Sequence, residues 1–513
     1  MNNNRDFVDG RLHVPFPLRS DAYTIAGDCL SSQEAREYST YSFVNRYSPA
    51  QAWPNVAKDS RMVLYGLSDF IRTHLTQPIT RADVTDSALF MSQARIGGQP
   101  LKFNHNMWMK VVEEHNGYLP IEIMALPECS TFFPNEPIIN VSNTECGFGE
   151  IAAHIEPLLV GMVSIATAAV TLRRHWLERI VEWLNIDTYA TCYGIAQWYI
   201  HDFGMRASSC AEESELLGRA HLLVFNGTDT FNAAYQAWRM GTKSDSGKSI
   251  LALSHRIVQG YKKEIDCYNN LSQQDAVGAY VADCYNFKQA VKDMLIPLAL
   301  QNPNKVISPR SDSGDAVANT EFVINELKAC GTPENVKLVH GDSVTPEIME
   351  ELIDTCKKHG MNPSTFLIFG VGGYLRNNVT RDSLSSSYKL AYTGPVYKSR
   401  PVVKLSETVG KRSVPGPNVL LREPYWKYNG HTVETCCNSE YITRGKDARK
   451  IYYSQGDFEH YCFEQFSTLQ DRTIAEFEDM HSIDKNFGLD GSCWSNDIKQ
   501  IQEDYMKEYR NVL

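Results

Sequence analysis

Six short apolar runs, each ending in a polar or glycine-rich cluster, recur about every 30 residues through the middle of this 513-residue chain. They are HLLVFNGTDT (221–230), SILALSHR (249–256), VGAYVADCYN (277–286), KVISPRSDSGD (305–315), VKLVHGDSVT (336–345) and TFLIFGVGGY (365–374). A strand buried on both faces reads as a continuous apolar run, and the spacing is that of one βα unit. Helical patterns lie between the runs. PEIMEELIDTCKKHG (346–360) has Pro346 in its first turn, apolar residues at helical spacing and a closing glycine. The pattern therefore predicts an α/β fold around a parallel sheet. A barrel and an open doubly wound sheet both satisfy it, and both bind ligands at the carboxyl ends of their strands. All six polar clusters sit at those ends.

Either side of this middle the chain is less regular. Residues before about 190 mix a strand-like LPIEIMALPE (119–128) with a helix-like SRMVLYGLSDFIRTHL (60–75), and the tail from about 396 carries aromatic, strand-like pieces and a charged helix end. A chain of this length is expected to hold more than one core. The net charge of -11 argues against general affinity for nucleic acid or anionic membrane, so an anion must be gripped by a local cluster. No apolar stretch reaches the roughly 20 residues that span a bilayer; PLLVGMVSIATAAVTL (157–172) stops at Arg173 and Arg174 and reads as a buried helix. The 13 cysteines lack any C-x-x-C pair, and the adjacent Cys436 and Cys437 are poorly placed for a disulfide. Reduced thiols in a cytoplasmic protein are the expectation.

The strand ends supply a consistent kit. Gly341-Asp342 and Gly370, Gly372 and Gly373 are turns whose N–H groups can face an anion. Arg206 and Arg310 can grip phosphate in bidentate fashion. Asp229, Asp283, Asp312 and Asp315 can hold a diol, a metal or a base edge, and His255 offers a titratable nitrogen. Singly, each is more often a turn, a helix cap or a structural histidine. Convergence on one face of one sheet favours an enzyme handling a phosphorylated sugar or nucleotide.

These residues also carry a family resemblance. HDFGMR (201–206), GTDT (227–230), the strand-end His255, RSDSGD (310–315), HGDSV (340–344) and GVGGYLRNNVTRD (370–382) occur in the order found in the nicotinate/nicotinamide phosphoribosyltransferase family. Upstream, RSDAYT (19–24), TYSFVNR (40–46) and NGYLPIEIMALPE (116–128) extend the resemblance over most of the chain, and it is nearest to the nicotinamide-specific members. RPVVKLSE with KRSVPG (400–416) looks more like the nicotinate enzymes. The resemblance implies an irregular α/β barrel of the type II phosphoribosyltransferase kind over 191–395. A second α+β domain would be formed by 1–190 together with 396–513. It further implies a homodimer with shared active sites, and transfer of phosphoribose from 5-phosphoribosyl-1-pyrophosphate to nicotinamide, a salvage entry to NAD. Mg²⁺ and ATP are the implied cofactors, ATP acting as a coupling co-substrate through a phosphohistidine.

By the same resemblance Phe203, and Tyr23 from the partner chain, would sandwich the pyridine ring, with Asp21, Asp229 and Arg310 beside it. Arg206, Gly341, Asp342, Gly372 and Gly373 would hold phosphates and ribose, and Arg46, Arg381 and Lys389 would reach in from the other subunit. Asp312 would bind ribose or position Mg²⁺-pyrophosphate. His255, oriented by Asp283, would be the phosphoryl acceptor. Three positions depart from the family pattern: Ser311 replaces a proline, Ser254 a glutamate, and Tyr374 a third glycine. They leave the transfer residues in place but bear on ATP coupling. Rival readings are a nicotinate enzyme and a non-catalytic nucleotide-binding paralogue. Asp229 discriminates the first, because nicotinate enzymes carry a serine there. Two carboxylates about 4 Å apart repel by about 4 kcal/mol at an effective dielectric of 20, roughly a thousandfold in affinity.

Overall fold

A computed structural model of the chain describes residues 7–8, 11–186, 193–395, 398–406, 411–422, 431–435, 447–458, 464–479, 489 and 493–512. Cys436 and Cys437 lie outside them.

The middle of the chain forms a seven-stranded parallel sheet. Its strands are Ile200–Asp202, Gly227–Thr228, Leu251–Ala252, Val277–Val281, Val306–Ser311, Leu338–His340 and Leu367–Val371. Each strand neighbours its predecessor and successor in the chain, except that the second and third are not paired: Gly227 forms a single parallel bridge with Lys248, which precedes the third strand. The first strand pairs with the seventh. That cyclic order, without a reversal of direction around the sheet, is a curled, irregular barrel and excludes the doubly wound alternative. Helices between the strands cover the outside. Pro346–Lys358 is capped by the Thr345 hydroxyl and opened by Pro346, and Ala316–Ala329 by the Asp315 carboxylate, which accepts the Ala318 N–H at 2.8 Å. Asp315 is thereby committed to its helix.

Two expected elements differ. The run at 221–225 ends the helix Ala211–Leu222 and turns; only Gly227–Thr228 is strand. A continuous apolar run fits a buried helix end as well as a buried strand. The stretch 60–75 is a short strand, Met62–Val63, followed by the helix Leu67–His74. Gly66 parts them at φ +99°, where a Cβ would stand 2.7 Å from that of Ala166.

A second, antiparallel sheet draws on both ends of the chain. Its order is Arg400–Pro401, Ser387–Thr393, Ser39–Val44, Ile139–Asn143, Ile121–Ala125 and Lys450–Ser454. The strand Ser387–Thr393, inside the range expected for the barrel, pairs with Ser39–Val44 in this sheet. Strict alternation of buried and half-buried residues along Ile121–Ala125 and Ile139–Asn143 shows one face packed inward.

The two sheets share a keel, the helix Glu156–Trp183. Its 28 residues are long and apolar enough to cross a membrane, yet most of it is buried inside the protein, Arg173 and Arg174 included. It packs against the helices Leu67–His74 and Ala211–Leu222 and the strand Ser387–Thr393, and Trp176 meets Tyr374 edge to face at 5.2 Å.

Burial drives the imidazoles of His154, His221 and His340 down to about 4, 3 and 4. The unfolded chain protonates these groups near pH 6.5 and the folded chain does not, so stability present above pH 6.5 is lost as pH falls toward 4. Each group contributes on the order of 1.4 kcal/mol per pH unit across that window. Thermal melts at pH 7.5, 6, 5 and 4.5 are expected to fall steeply below pH 6.5; a flat profile would contradict neutral buried imidazoles.

Candidate active site

Strand pleating alternates side chains, so one residue in two along each barrel strand faces inward. Ala252, Val277, Ala279, Ser308, Arg310, Val339 and Gly370 do so and line a cavity of about 640 Å³. The barrel interior is open rather than filled, with small residues such as Ala252, Ala279, Ser308 and Gly370 interspersed among larger ones. Phe203, Asp229 and Arg310 line this same cavity, together with His201, Lys248 and Ser249. Residues from four separated stretches of sequence thus meet in one cavity.

The Phe203 ring lies against the seventh strand, where a Cβ on Gly370 would come within 2.1 Å of it. The Phe203 N–H donates to the Val371 carbonyl at 3.0 Å, which ties this residue to the start of the Gly372-Gly373 turn. The Arg310 guanidinium sits 5.8 Å from the ring centroid. Its Nε also donates to both carboxylate oxygens of Asp312, at 3.0 and 3.1 Å. Arg310 therefore carries a compensated charge. Asp229 accepts from the Ser249 hydroxyl and, among the described residues, pairs with no cation. The cavity accordingly holds an aromatic face and a carboxylate that forms no ion pair among the described residues.

A second cluster adjoins the first. His255 Nε2 lies 3.1 Å from an oxygen of Asp283; the imidazole side chain is 42% exposed and the carboxylate 5%. The other Asp283 oxygen accepts the Asp312 N–H at 3.2 Å and the Ser313 hydroxyl. One buried carboxylate thus orients the histidine and fixes the RSDSGD loop. Gly341 abuts this loop, since a Cβ there would stand 2.4 Å from Asp312 Oδ1. Asp342 is exposed, in a turn where Ser343 adopts φ +51°. Arg206 is exposed on the turn Met205–Ala207, with no side-chain partner among the described residues.

Tyr23, Asp21, Arg46, Arg381 and Lys389 do not line the cavity within this chain. Tyr23 is 76% exposed, and Asp21 beside it, hydrogen-bonded to the phenol, raises its pKa. Arg46 is buried by contrast. Its Nε and one Nη lack partners among the described residues, and burial lowers its pKa. Its backbone N–H bonds to the Leu384 carbonyl in the loop that also holds Arg381, whose side chain pairs with Asp382. Lys389 donates to the Tyr388 carbonyl at 2.8 Å and lies 3.4 Å from Glu156.

Sequence reasoning missed Ser249, counted only as the opening residue of a strand. It also missed Asp202 and Arg376, which form an ion pair at 2.8 Å with side chains 0% and 1% exposed. Burial would raise the Asp202 pKa, but the charge of Arg376 leads a set of opposing effects that hold it below the usual carboxylate range.

Residues 198–425 match the nicotinate phosphoribosyltransferase (NAPRTase) family, and residues 31–123 the N-terminal domain of nicotinamide phosphoribosyltransferase. The chain is 26% identical over 392 residues to a nicotinamide phosphoribosyltransferase of Xanthomonas campestris pv. campestris (strain 8004), covering 70% of this chain and 79% of that one. It is 24% identical over 381 residues to a nicotinamide phosphoribosyltransferase of Acinetobacter baylyi (strain ATCC 33305 / BD413 / ADP1), covering 65% and 74%. In fold it is similar to the nicotinate-nucleotide pyrophosphorylase of Pyrococcus furiosus, with a TM-score of 0.58 at 15% identity over 92% of this chain and 97% of that one. Human nicotinic acid phosphoribosyltransferase also gives a TM-score of 0.58, at 13% identity over 95% and 100%.

Gly370→Ala tests the ring seat. The added methyl must push Phe203 outward, so calorimetric titration with a pyridine ligand should show affinity weakened about tenfold or more. The melting temperature should stay within about 5 °C of the parent, because Phe203 is only half-buried and can swing out. Unchanged affinity would remove Phe203 from the site.

Proposed function

Because the chain belongs to the nicotinate phosphoribosyltransferase family and is a pentosyltransferase, we propose that it moves phosphoribose from 5-phosphoribosyl-1-pyrophosphate to nicotinamide. Nicotinamide mononucleotide and pyrophosphate are the products. The observation that carries the choice of base is the Asp229 carboxylate, which lines the cavity with Phe203 and forms no ion pair among the described residues. A neutral carboxamide can donate its N–H to that oxygen, whereas a carboxylate is repelled. Ser249 supports the choice by holding the Asp229 side chain in place.

The chemistry asks for position and charge. As pyrophosphate leaves, C1 of the ribose becomes cation-like, and the ring nitrogen of the substrate is itself the nucleophile, so no general base is required. Phe203 would set the ring plane, while Gly372 and Gly373 offer backbone N–H groups and Arg206 its guanidinium to the phosphates; the Gly341 N–H is already given to the Ser311 carbonyl at 3.3 Å. Arg310, held by Asp312, would release one partner to take substrate oxygens. The carboxylates of Asp312 and Asp342 flank Gly341 with the hard oxygen donors that Mg²⁺ takes, and the ion would neutralise pyrophosphate when bound. Exposed Tyr23 and under-satisfied Arg46 suit a homodimer in which a partner chain completes each site. His255, half-exposed and oriented by Asp283, would accept a phosphoryl group from ATP on its other ring nitrogen.

Initial rates with 5-phosphoribosyl-1-pyrophosphate and Mg²⁺, offering nicotinamide and nicotinate separately with and without ATP, test this reading. Nicotinamide is expected to lead by roughly a hundredfold to a thousandfold in kcat/KM. Asp229→Ser should narrow that ratio, and His255→Ala should abolish any stimulation by ATP. A preference for nicotinate would overturn the Asp229 argument, and product from neither base would favour the non-catalytic reading.

A further inference from the structure

Beneath the cavity mouth, the turn that carries Phe203 and the turn that carries Gly372 and Gly373 are fastened together by charge. Arg376 Nη2 donates to one oxygen of Asp202 at 2.8 Å, and the other oxygen accepts the Gly204 N–H at 2.8 Å. Arg376 Nε donates to the Ser208 hydroxyl at 2.9 Å. The fit tolerates no side chain at Gly204, where a Cβ would stand 2.6 Å from Arg376 Cζ. A second guanidinium lies alongside. Among the described residues Arg173, wholly buried, donates only to backbone carbonyls, to Ala169 at 2.8 Å and Leu375 at 3.3 Å. Its Nε and the Nη1 of Arg376 have no partner among the described residues.

The charges do not balance. Two guanidiniums face one carboxylate, and the nearby His221 is neutral, its pKa pushed by burial down to about 3. Burial and then the neighbouring Arg376 lower the Arg173 pKa to about 9, which still leaves it charged at neutral pH. One surplus positive charge is thus stored where water does not reach, a costly arrangement unless an anion comes close. Leu375 and Arg376, the points of attachment, follow the Gly372-Gly373 turn by two and three residues.

We infer that Arg376 is a positioning residue for the transfer: its pair with Asp202 holds the ring-stacking Phe203 and the phosphate turn in one register. The surplus charge shared with Arg173 tightens that register when an anion occupies the turn. Phosphate binding then pre-orders the base seat, and the two substrates bind cooperatively. The inference rests on the phosphoribosyl reading above.

Hydrogen–deuterium exchange on the full chain, with and without inorganic pyrophosphate, tests it in the parent protein, Arg376→Gln, Arg376→Lys and Gly204→Ala. Ligand-free exchange in the segment 199–209 should rise about tenfold in Arg376→Gln and Gly204→Ala but little in Arg376→Lys, which can still pair with Asp202. Pyrophosphate should slow exchange there about fivefold or more in the parent and in Arg376→Lys, and not in Arg376→Gln. In steady state, Arg376→Gln should raise KM for both substrates together, whereas Phe203→Ala raises that of the base. If Arg376→Gln fails to fold, Gly204→Ala decides, since it keeps both charges while its Cβ crowds the guanidinium and the Asp202 oxygen that accepts the Gly204 N–H. Parent-like exchange in a folded Arg376→Gln, or in Gly204→Ala, would overturn the inference. Failure of the parent to bind pyrophosphate would count against the phosphoribosyl reading instead, and the ligand-free exchange would still judge the pin.

Discussion

Seven parallel strands around one axis have all their carboxyl ends on one rim, and everything chemical in this protein depends on that constraint. Side chains and turns that follow the strands have nowhere else to go, so Phe203, Asp229, His255, Asp283, Arg310, Asp312 and Gly341 gather from 139 residues of chain (203 to 341) without long-range instruction. The interior below them encloses a cavity of about 640 Å³, in which Ala252, Ala279, Ser308 and Gly370 are interspersed with larger lining residues such as Trp198, Ile250 and Leu367.

The loops of the rim bond to each other before any ligand arrives. Asp283 serves His255, Asp312 and Ser313 at once, and Asp202 serves Arg376 and Gly204. Each is a buried acceptor with both oxygens occupied, the condition under which a carboxylate specifies geometry rather than costing stability. Glycines do the complementary work. Gly204, Gly341 and Gly370 each stand where a single added carbon would collide with a side chain of the site.

How much of this the sequence disclosed depended on range. The βα rhythm was legible because each unit is local, and the strand-end rule then brought Arg310, Asp312, His255 and Asp229 to one place. The strand Ile200–Asp202 escaped, because three residues with a buried aspartate do not make an apolar run. The Asp202–Arg376 pair spans 174 positions, and nothing in either neighbourhood announces the other. The pairing within the antiparallel sheet was illegible for the same reason, since Ser39–Val44 finds its partner at Ser387–Thr393; only the family resemblance implied a domain formed by both chain ends. Asp315 shows the opposite error, a carboxylate with the right address that serves only as a helix cap.

That sheet sets a timetable for biosynthesis. Its central strands, Ser39–Val44, Ile139–Asn143 and Ile121–Ala125, emerge early, yet their outer neighbours at 387–393 and 450–454 follow only after the whole barrel. About 240 residues separate Asn143 from Ser387, which at 5–20 residues per second is roughly 12 to 50 seconds of elongation. Throughout that interval two strand edges stand open, the situation in which nascent chains pair with the wrong neighbour. The antiparallel sheet must therefore wait for the barrel to be made, and the hazard in making this protein lies with the half outside the barrel.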